Sequence, residues 1–339
     1  MILHNIDLQP LHTFGIHAVA DTLITVGDTS ELSHILPAIQ QAHGLLILGG
    51  GSNTVFTGNY RGTVLHMANT GIRLVRRTAD GHLIVEADAG VVWDSFVQHC
   101  IDHCWYGLEN LAAIPGTVGA APVQNVGAYG ADASQFVHCV HAVEIQSGKA
   151  VDFSNADCRF GYRDSRFKQQ PSQYLVTSVE FMLNDSFEPN LSYKALAEHL
   201  HEKGMGKPTA RQLADGVAEL RWSKLPRPEV QGSAGSFFKN PVVDNELCRH
   251  LQTLYPDMPA HKTDTGYKLS AGWLIEKAGW KGRTLGTVGT YARNALVLCN
   301  CGTSEQPCSG HDLRQLAATI INEVQRQFNV NLHPEAIII

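Results

Sequence analysis

Residues 114–130 read IPGTVGAAPVQNVGAYG, and this stretch carries most of the information about the fold. It is rich in glycine and small residues and has no charged side chain. Glycine lacks Cβ, so a ligand can lie directly against its backbone. A mobile linker is the alternative, but Ile114, Val118 and Val123 are unlike a solvated tether. Long irregular segments that pack are usually functional. We therefore predict a loop that wraps a large cofactor with main-chain N–H groups.

The composition is that of a globular protein with two or three domains. The chain has 339 residues, of which 44% are hydrophobic and 17% charged, both ordinary values for such a protein. A net charge of −6 without a run of Lys and Arg gives no electrostatic footprint for nucleic acid. No apolar run approaches the roughly 20 residues of a membrane span, and the N-terminus MILHNIDLQP lacks the pattern of a secretory signal. We expect a cytoplasmic protein that binds neither nucleic acids nor membranes.

The eight cysteines are scattered and contain no CxxC motif, so reduced structural thiols are expected. His99, Cys100, His103 and Cys104 form the one ligand-like cluster in the sequence. Both cysteines fall on the apolar stripe of a predicted helix, and buried cysteines usually act as small hydrophobic residues. We predict no metal site.

Hydrophobic periodicity and turn signals divide the chain into strands and helices. Strands are predicted at 21–27, 45–48, 137–146, 174–183 and 295–300, with a hairpin at 72–89 that turns at Asp80-Gly81. Helices are predicted at 30–42, 91–104, 194–203, 209–223, 244–255, 269–278 and 310–328, and residues 330–339 are expected to be extended. Leu225-Pro226-Arg227-Pro228 marks a hinge, because proline ends helices.

The strand at 45–48 runs directly into Gly49, Gly50, Gly51, Ser52 and Asn53. Backbone amides of consecutive small residues after a strand can form an anion-binding nest. The motif is not a Walker loop, and the Rossmann spacing fails because Thr54 occupies the last glycine position. A tight turn would have the same sequence, so this motif alone leaves both interpretations open.

Polar residues in three further segments are candidates for chemistry. In FGYRDS (160–165), Arg163 beside Tyr162 could clamp a carboxylate or phosphate through its planar donor fork. A local surface pair between Arg163 and Asp164 is the slightly favoured alternative. Glu335, in HPE (333–335), precedes an apolar tail and is expected to be half-buried; a strand-end carboxylate facing water is the alternative.

The remaining segment is GSAGSFFKNP at 232–241. If residues 236–240 are extended, Ser236, Phe238 and Asn240 share one face. Ser236 lacks a neighbouring His and the G-x-S-x-G pattern, so a hydrolase nucleophile is poorly supported. A serine that donates a proton fits better, although a turn serine is the more common case.

In order and spacing, these segments together resemble the UDP-N-acetylenolpyruvoylglucosamine reductase (UDP-N-acetylmuramate dehydrogenase) family, flavoenzymes of bacterial peptidoglycan synthesis. The resemblance covers essentially the whole chain. It rests on LGGGSN (48–53), IPGTVGAAPVQNVGAYG (114–130), FGYRDS (160–165), GSAGSFFKNP (232–241), KLSAGWLIEKAGWKG (268–282) and HPE (333–335). Tyr129 and Tyr193 resemble the longer, type I form, which closes a tyrosine-bearing loop over the substrate.

The resemblance implies an α+β chain. Two α+β domains would form the FAD-binding fold of the FAD-linked oxidase and dehydrogenase type, and a third, α/β domain would bind substrate. The implied bounds are 1–70 with 329–339, then 71–224, then 225–328. FAD would be bound non-covalently, NADPH would be the co-substrate, and the protein would be a monomer. The implied cofactor-binding residues are Gly49, Gly50, Gly51, Ser52, Asn53, Pro115, Gly116, Thr117, Gly119, Ala120 and Ala121.

The implied reaction reduces UDP-N-acetylglucosamine enolpyruvate to UDP-N-acetylmuramate by a ping-pong scheme. Hydride from the flavin would add to the enolpyruvyl double bond, while Arg163 and a protonated Glu335 stabilise the developing negative charge. Ser236 would deliver the proton to the adjacent carbon. The implied substrate-binding residues are Tyr129, Tyr162, Tyr193, Lys224, Asn240 and Lys281.

Two positions depart from the family pattern. His261 stands where some relatives carry a tyrosine, and Ala120-Ala121 replaces hydroxyl residues found near the flavin in others. Two other functions stay open at this point. A sugar or aldonolactone oxidase on the same scaffold would leave Ser236, Arg163 and Glu335 without a joint purpose. A flavin- or nucleotide-binding protein without turnover would make no use of a proton donor.

Overall fold

The computed structural model describes residues 1–339, which form 20 strands and eight α-helices. The strands are β1 (Ile2–Asp7), β2 (Val19–Val26), β3 (Leu45–Leu48), β4 (Thr54–Val55), β5 (Tyr60–Met67), β6 (Ile72–Arg77), β7 (Leu83–Asp88), β8 (Gly127–Ala128), β9 (Ala131–Asp132), β10 (Val137–Glu144), β11 (Ala150–Ser154), β12 (Tyr174–Leu183), β13 (Ser233–Ser236), β14 (Val242–Val243), β15 (Ala260–Thr263), β16 (Gly266–Leu269), β17 (Thr284–Leu285), β18 (Val288–Tyr291), β19 (Asn294–Asn300) and β20 (Ile337–Ile338). The helices are α1 (Leu32–Gln40), α2 (Trp93–Asp102), α3 (Arg166–Gln169), α4 (Lys194–Glu202), α5 (Ala210–Lys224), α6 (Asn245–Leu254), α7 (Ala271–Lys277) and α8 (Gly310–Phe328).

The chain divides into two compact units. Unit one comprises Met1–Ile6, Ala20–Gly50 and Arg61–Arg221, and unit two comprises Asp7–Val19, Gly51–Tyr60 and Trp222–Ile339. Each unit has its own hydrophobic core. The division into three domains made from the sequence stays a prediction.

Unit one is built on two larger sheets. One has the order β1-β2-β5-β3 and the other the order β11-β10-β12-β7-β6. Neighbouring strands of the second sheet are antiparallel throughout. Helix α2 covers this sheet with fully buried aromatic side chains, and the ring of Phe96 lies 4.9 Å from that of Phe181 on β12. An aromatic pair of this kind stabilises the contact by about 0.5–1.5 kcal/mol beyond the area it buries.

Unit two contains three sheets, with orders β13-β19-β18-β17, β14-β16-β15 and β20-β4. Helix α8 supplies much of its core, because Leu316, Ile320, Val324 and Phe328 recur at helical spacing and are all buried. The Ser309 side chain caps the first turn by accepting hydrogen bonds from the backbone amides of residues 311 and 312. The packing role predicted for this helix is confirmed.

Most predicted elements are confirmed. The strands at 45–48 and 174–183 and the helix at 310–328 have the predicted bounds, and the ends of the other predicted helices and strands differ by at most two residues. The hairpin turns at Gly81, whose φ is 91°, a conformation that glycine adopts without strain. The segment 330–339, predicted as extended, contains the two-residue strand β20 and an isolated bridge between Pro334 and Phe238.

Helix α2 ends at Asp102, two residues before Cys104. Cys100 is buried in the core of unit one, as predicted, but Cys104 is exposed and has a φ of 58°. The prediction that Cys104 belongs to the apolar stripe is therefore wrong, because the helix stops before reaching it. All eight cysteines are free thiols in the structure. None of the helices combines the length and the apolar character needed to cross a bilayer.

Candidate functional site

Two glycine-rich segments, far apart in sequence, lie against each other in unit one. A Cβ at Gly50 would stand 2.7 Å from the Cα of Gly116, and one at Gly49 would stand 2.8 Å from the Cβ of Ala120 and 3.0 Å from Oγ1 of Thr117. No other residue fits at these two positions without displacing backbone. We call this arrangement, formed by Gly49, Gly50, Gly116, Thr117 and Ala120, the glycine cradle.

The second segment is fixed by hydrogen bonds to Ala89 and to Trp93, the first residue of α2. The Gly119 amide donates to the Ala89 carbonyl at 2.9 Å, and the Trp93 amide donates to the Gly116 carbonyl at 3.0 Å. A short 3-10 turn at Val118–Ala120 follows, in which the amides of Ala120 and Ala121 donate to the Thr117 carbonyl. These bonds make the loop a rigid turn and not a mobile linker.

The internal bonds also divide the loop's amides into two groups. The amides of Gly119, Ala120 and Ala121 donate to main-chain carbonyls of the protein, so these residues can shape a cofactor site but cannot donate to a ligand from the backbone. The amides of Gly116 and Thr117 donate to no protein acceptor. These two N–H groups, in a cradle too tight for side chains, fit the pyrophosphate or the ring edge of a dinucleotide, whose oxygens and nitrogens accept hydrogen bonds.

The residues after Gly50 belong to unit two. Gly51 has a φ of 60°, and a Cβ there would overlap the Leu11 carbonyl and His12. His12 is buried and Nε2–H donates to the Ile16 carbonyl at 2.9 Å; burial lowers the pKa of His12, so the ring stays neutral. Asn53 donates from its side chain to the Glu335 carbonyl at 3.2 Å. Asn53, predicted as a cofactor residue, thus also fixes the C-terminal segment.

Two of the predicted substrate-binding tyrosines meet in unit one. The rings of Tyr129 and Tyr193 are 5.3 Å apart and nearly perpendicular. The Asn110 side chain donates to the Tyr129 carbonyl at 2.8 Å and to the Asn190 carbonyl at 2.9 Å, which joins the two loops. Burial raises the pKa of Tyr129 to about 12, so its hydroxyl is a neutral hydrogen-bond donor at any physiological pH.

The Arg163 side chain is directed at main-chain carbonyls. Its guanidinium donates to Gly127 at 2.5 Å and to Asn125 at 3.3 Å, and it stands 5.6 Å from the ring of Tyr162. Asp164 instead accepts from the Gln169 side chain at 2.7 Å. The local Arg163–Asp164 pair weighed from the sequence is therefore wrong, because the two side chains have different partners.

Arg221, near the end of α5, was missed by sequence reasoning. Burial lowers the pKa of this guanidinium, Tyr129 and Asp94 oppose that shift, and the positive charge of Arg163 adds to it. Unit one thus brings the guanidinium groups of Arg163 and Arg221 close enough to interact, an electrostatic setting that favours an anionic ligand. In the sequence, Arg221 is marked only by its apolar neighbours Leu220 and Trp222. An arginine on an exposed helix face can have the same neighbours, so this pattern does not indicate burial.

Ser236 and Glu335 are neighbours in unit two. Ser236 is the last residue of β13 and pairs with Val297 of β19. The following residue, Phe237, donates from its amide to Leu296 at 2.9 Å and accepts from the Glu335 amide at 2.7 Å. The Ser236 hydroxyl makes no hydrogen bond within the protein. The structure therefore presents a half-buried alcohol, free to donate, next to a half-buried acidic residue.

The strand does not continue beyond Ser236 as a regular element. Phe237 and Phe238 are both buried, and because successive side chains of extended chain point to opposite sides, both sides are covered here. Asn240 accepts a 3.0 Å hydrogen bond from the Ala271 amide at the start of α7. The shared face expected for residues 236, 238 and 240 stays a prediction.

The other predicted substrate residues lie at the surface. Tyr162 is 59% exposed, Lys224 is exposed at the end of α5, and Lys281 forms an exposed ion pair with Glu276 at 3.0 Å. His261 is exposed on β15 and pairs with Lys268 of β16. Surface positions of this kind are available to a solvent-borne phosphate, although an exposed ion pair itself contributes little to stability.

Comparisons with known proteins agree with these features. Residues 20–154 match the model of the FAD binding domain, and residues 227–339 match that of the UDP-N-acetylenolpyruvoylglucosamine reductase, C-terminal domain. The chain is 44% identical over 338 residues to the UDP-N-acetylenolpyruvoylglucosamine reductase of Azoarcus sp. (strain BH72), spanning 98% of this chain and 96% of that protein. The chain belongs to the UDP-N-acetylenolpyruvoylglucosamine reductase family.

Other members of the UDP-N-acetylenolpyruvoylglucosamine reductase family give the same result. The Pseudomonas aeruginosa member is 43% identical over 331 residues, spanning 97% of this chain and 96% of that protein. The crystal structure of the reductase from Thermus caldophilus matches with a TM-score of 0.66 and 22% identity, covering 100% of this chain and 98% of that one. The fold class, an α+β chain with an FAD-binding fold, is confirmed.

The predicted site residues of this reductase family member lie within the two matched regions or between them. The glycine cradle falls within the FAD-binding match, and Ser236, Asn240, Lys281 and Glu335 fall within the C-terminal match. Arg163 and Tyr193 lie between the two. Arg163 belongs to unit one, whereas Ser236 and Glu335 belong to unit two.

Proposed function

We propose that the chain reduces the enolpyruvyl group of UDP-N-acetylglucosamine enolpyruvate to the lactyl ether of UDP-N-acetylmuramate, with Ser236 as the proton donor. Its family makes it an FAD-dependent oxidoreductase of peptidoglycan synthesis that takes electrons from NADPH. One observation carries the proton-donor assignment: the Glu335 amide is hydrogen-bonded to Phe237, the residue that follows Ser236. An alcohol beside an acidic residue has no joint use in a sugar oxidase, so that alternative is not favoured.

FAD, when bound, supplies the hydride that it has taken from NADPH. The residues proposed to hold it are those of the glycine cradle, with the amides of Gly116 and Thr117 as donors. Pro115, Gly119 and Ala121 would shape the turn that presents these donors. The methyl group of Ala120, close to Gly49, offers packing where a hydroxyl would offer a hydrogen bond. Gly51, Ser52 and Asn53 are the remaining residues proposed to hold FAD.

Ser236 would transfer its hydroxyl proton to the carbon that carries the carboxylate. The O–H bond breaks as the new C–H bond forms, and the serine oxygen then recovers a proton from solvent. A hydroxyl of ordinary acidity is a weak acid, so position must compensate for its high pKa. Two observations support this role. Pairing with Val297 fixes the position of Ser236, and its hydroxyl is not hydrogen-bonded to another protein group.

Arg163 and Glu335 are proposed to stabilise the negative charge that develops on the substrate carboxylate. A donor that is already oriented needs no reorganisation when the charge appears. The two carbonyls that hold Arg163 provide such orientation. Glu335 would serve in its protonated form, in which a carboxyl group donates a hydrogen bond.

The remaining residues would bind the nucleotide and sugar. Tyr129 and Tyr193 form a joined aromatic wall, and the neutral hydroxyl of Tyr129 would donate to a phosphate or sugar oxygen. Tyr162 would line the same region. Lys224, Asn240 and Lys281 would contact the diphosphate and uridine. We further propose that the enzyme acts as a monomer in the cytoplasm; sedimentation of the purified protein tests the first point.

The deciding experiment separates the two half-reactions. In Ser236→Ala, flavin reduction by NADPH should keep its rate, whereas oxidation of reduced flavin by the enolpyruvyl substrate should slow by about 10²–10⁴-fold, the usual contribution of a positioned acid. Ser304→Ala, an exposed serine of the same unit, should leave both rates unchanged. An equal loss in both half-reactions would exclude Ser236 as the proton donor.

A further inference from the structure

The five-stranded sheet of unit one carries a second group of reactive side chains, outside the glycine cradle. They form a nearly continuous line across all five strands. The pairing registers place Arg73 opposite Glu86, Glu86 opposite Glu180 and Glu180 opposite Cys139, and two residues further along β10 they place His141 opposite Asp152. We call this line the polar row, and its members are Arg73 (β6), Glu86 (β7), Glu180 (β12), Cys139 and His141 (β10) and Asp152 (β11).

One end of the polar row brings three different ligand types together. Cys139 and His141 are two residues apart on β10 and so share a face of the sheet. His141 is paired with Asp152, and its Nδ1 lies 2.7 Å from the Asp152 carboxylate. The thiol sulfur, a ring nitrogen and a carboxylate oxygen of these three residues all lie within 4.8 Å of one another.

The other end of the row carries an excess of negative charge. Glu180 is directly opposite Glu86, and like charges in that position are destabilising. Arg73 neutralises Glu86 through a 2.6 Å ion pair. The side chains of Glu86 and Glu180 are only 9% and 13% exposed, so water screens them weakly. A cation at the His141 end would offset this charge.

We propose that Cys139, His141 and Asp152 bind a Zn²⁺ ion. Thiolate, imidazole and carboxylate are the ligand types that zinc prefers. The sulfur ligand argues against Mg²⁺ and Ca²⁺, which take oxygen ligands. Ligands of a tetrahedral zinc ion stand roughly 3.3–3.8 Å apart at its usual bond lengths, so the three side chains need only small rotations. Asp152 is 70% exposed, so water can reach the fourth coordination position of the zinc ion.

Glu180 would orient the histidine ligand. With Nδ1 on the metal, Nε2–H of His141 faces the Glu180 carboxylate, which lies 3.6 Å away. A carboxylate that accepts from the second ring nitrogen fixes the tautomer of a metal-binding histidine and raises its basicity. The ion would tie the edge strand β11 to β10, and its binding to the folded state alone would stabilise unit one.

Without the metal, the same residues hold protons. Burial and the nearby charges of Asp152, Glu180 and Glu86 raise the pKa of the Cys139 thiol to about 11. Burial opposes protonation of His141, but the hydrogen bond to Asp152 and the surrounding carboxylates together raise its pKa. Zinc must displace these protons, so its affinity should rise with pH. A protonated His141 that bridges Asp152 and Glu180 without metal is the competing explanation.

The test is a titration of the flavin-loaded enzyme with Zn²⁺ in competition with a chromophoric chelator. We expect one equivalent to bind, with a sulfur ligand visible by zinc-edge X-ray absorption. Loss of a residue that only orients a metal ligand costs about 10–100-fold in affinity, so loss of a direct ligand in Cys139→Ser, His141→Gln or Asp152→Asn should weaken binding by more than about tenfold. Asp152 is largely exposed, so its variant should keep the fold, as near-UV circular dichroism would show.

Matched controls distinguish this site from the stacked pair His99 and His103 and from the exposed Cys104. Cys104→Ser and His99→Gln should leave zinc binding unchanged, and all variants should keep the rate of substrate reduction. No stoichiometric binding, or binding that survives Cys139→Ser, would overturn the proposal and leave His141 as a charged bridge. Loss of zinc in Cys104→Ser would likewise overturn it.

Discussion

The backbone amide of Glu335 donates a 2.7 Å hydrogen bond to the carbonyl of Phe237. A second bond, from the Lys239 amide to the His333 carbonyl at 2.9 Å, and the bridge between Phe238 and Pro334 extend this pairing. Main-chain hydrogen bonds therefore hold Glu335 beside Ser236. These bonds do not involve the carboxyl group, so its substitution should leave the backbone pairing intact.

We expect Glu335→Gln to keep part of the activity and Glu335→Ala to lose about 10²–10³-fold in kcat, the range found on removal of one charge-stabilising donor. An amide can donate a hydrogen bond in place of a protonated carboxyl, whereas a methyl group cannot. Thermal midpoints and flavin content should match those of Glu305→Gln, an exposed control in the same unit. Equal activity of the Ala variant and the parent would remove Glu335 from the mechanism.

Gly50→Ala should weaken FAD binding by more than tenfold, or about 1.4 kcal/mol. The new Cβ would stand 2.7 Å from the backbone of Gly116, so the cradle must widen and its amides must move. Flavin absorbance per mole of purified protein measures the loss. Gly27→Ala in the same unit meets nothing within 4 Å and should purify with full flavin. A Gly50→Ala protein as yellow as that control would show that the cradle does not hold the cofactor.

Arg163→Lys should lower kcat/KM by about 10²–10³-fold while flavin reduction by NADPH is unchanged. Lysine has no planar fork, so it cannot bond to the carbonyls of Asn125 and Gly127 and also present an oriented donor. Single-turnover kinetics with reduced enzyme give the measurement, and Arg76→Lys on the exposed side of β6 is the control. A loss confined to flavin reduction would contradict the proposed role.

The pKa of Tyr129 predicts a loss of stability in alkali. Folding raises the pKa of this phenol from 10.0 to about 12, so the protonated form is favoured in the folded state. The resulting stabilisation is complete below pH 10 and is lost as the pH rises toward 12. Tyr129→Phe cannot ionise and should lose less stability than the parent over this range, as urea midpoints would measure. Tyr162→Phe, an exposed control, should follow the parent.

Local elements were predictable where one physical signal dominated. Helix α8 has a continuous apolar stripe and a serine cap, and the hairpin of β6 and β7 has an Asp-Gly turn. Strand β1 was missed because nearly all its residues are exposed, so no alternation of apolar and polar residues marks it. The tail at 330–339 was predicted as extended, but its pairings with β4 and with Phe238 depend on tertiary packing.

The candidate site was predictable only as separate segments. The glycine motifs are visible in the sequence, but their mutual contact, Gly50 against Gly116, depends on tertiary packing. Two partners of Arg163 are the main-chain carbonyls of Asn125 and Gly127, and main-chain groups carry no sequence signal. Arg221 was missed because its importance lies in burial near other charges. The chemistry of a side chain can be read from its identity, but its surroundings cannot.

The pairing of β4 with β20 also governs the order in which unit two can be completed during synthesis. Asn53 donates to the carbonyl of Glu335, 282 positions later, and the carbonyl of Ile339 accepts from both the amide and the hydroxyl of Thr57. A nascent chain that has emerged only through residue 300 exposes β4 as an unpaired edge. Contacts of such long sequence separation form slowly, so chaperone contact and aggregation should be greatest just before the C-terminal segment leaves the ribosome.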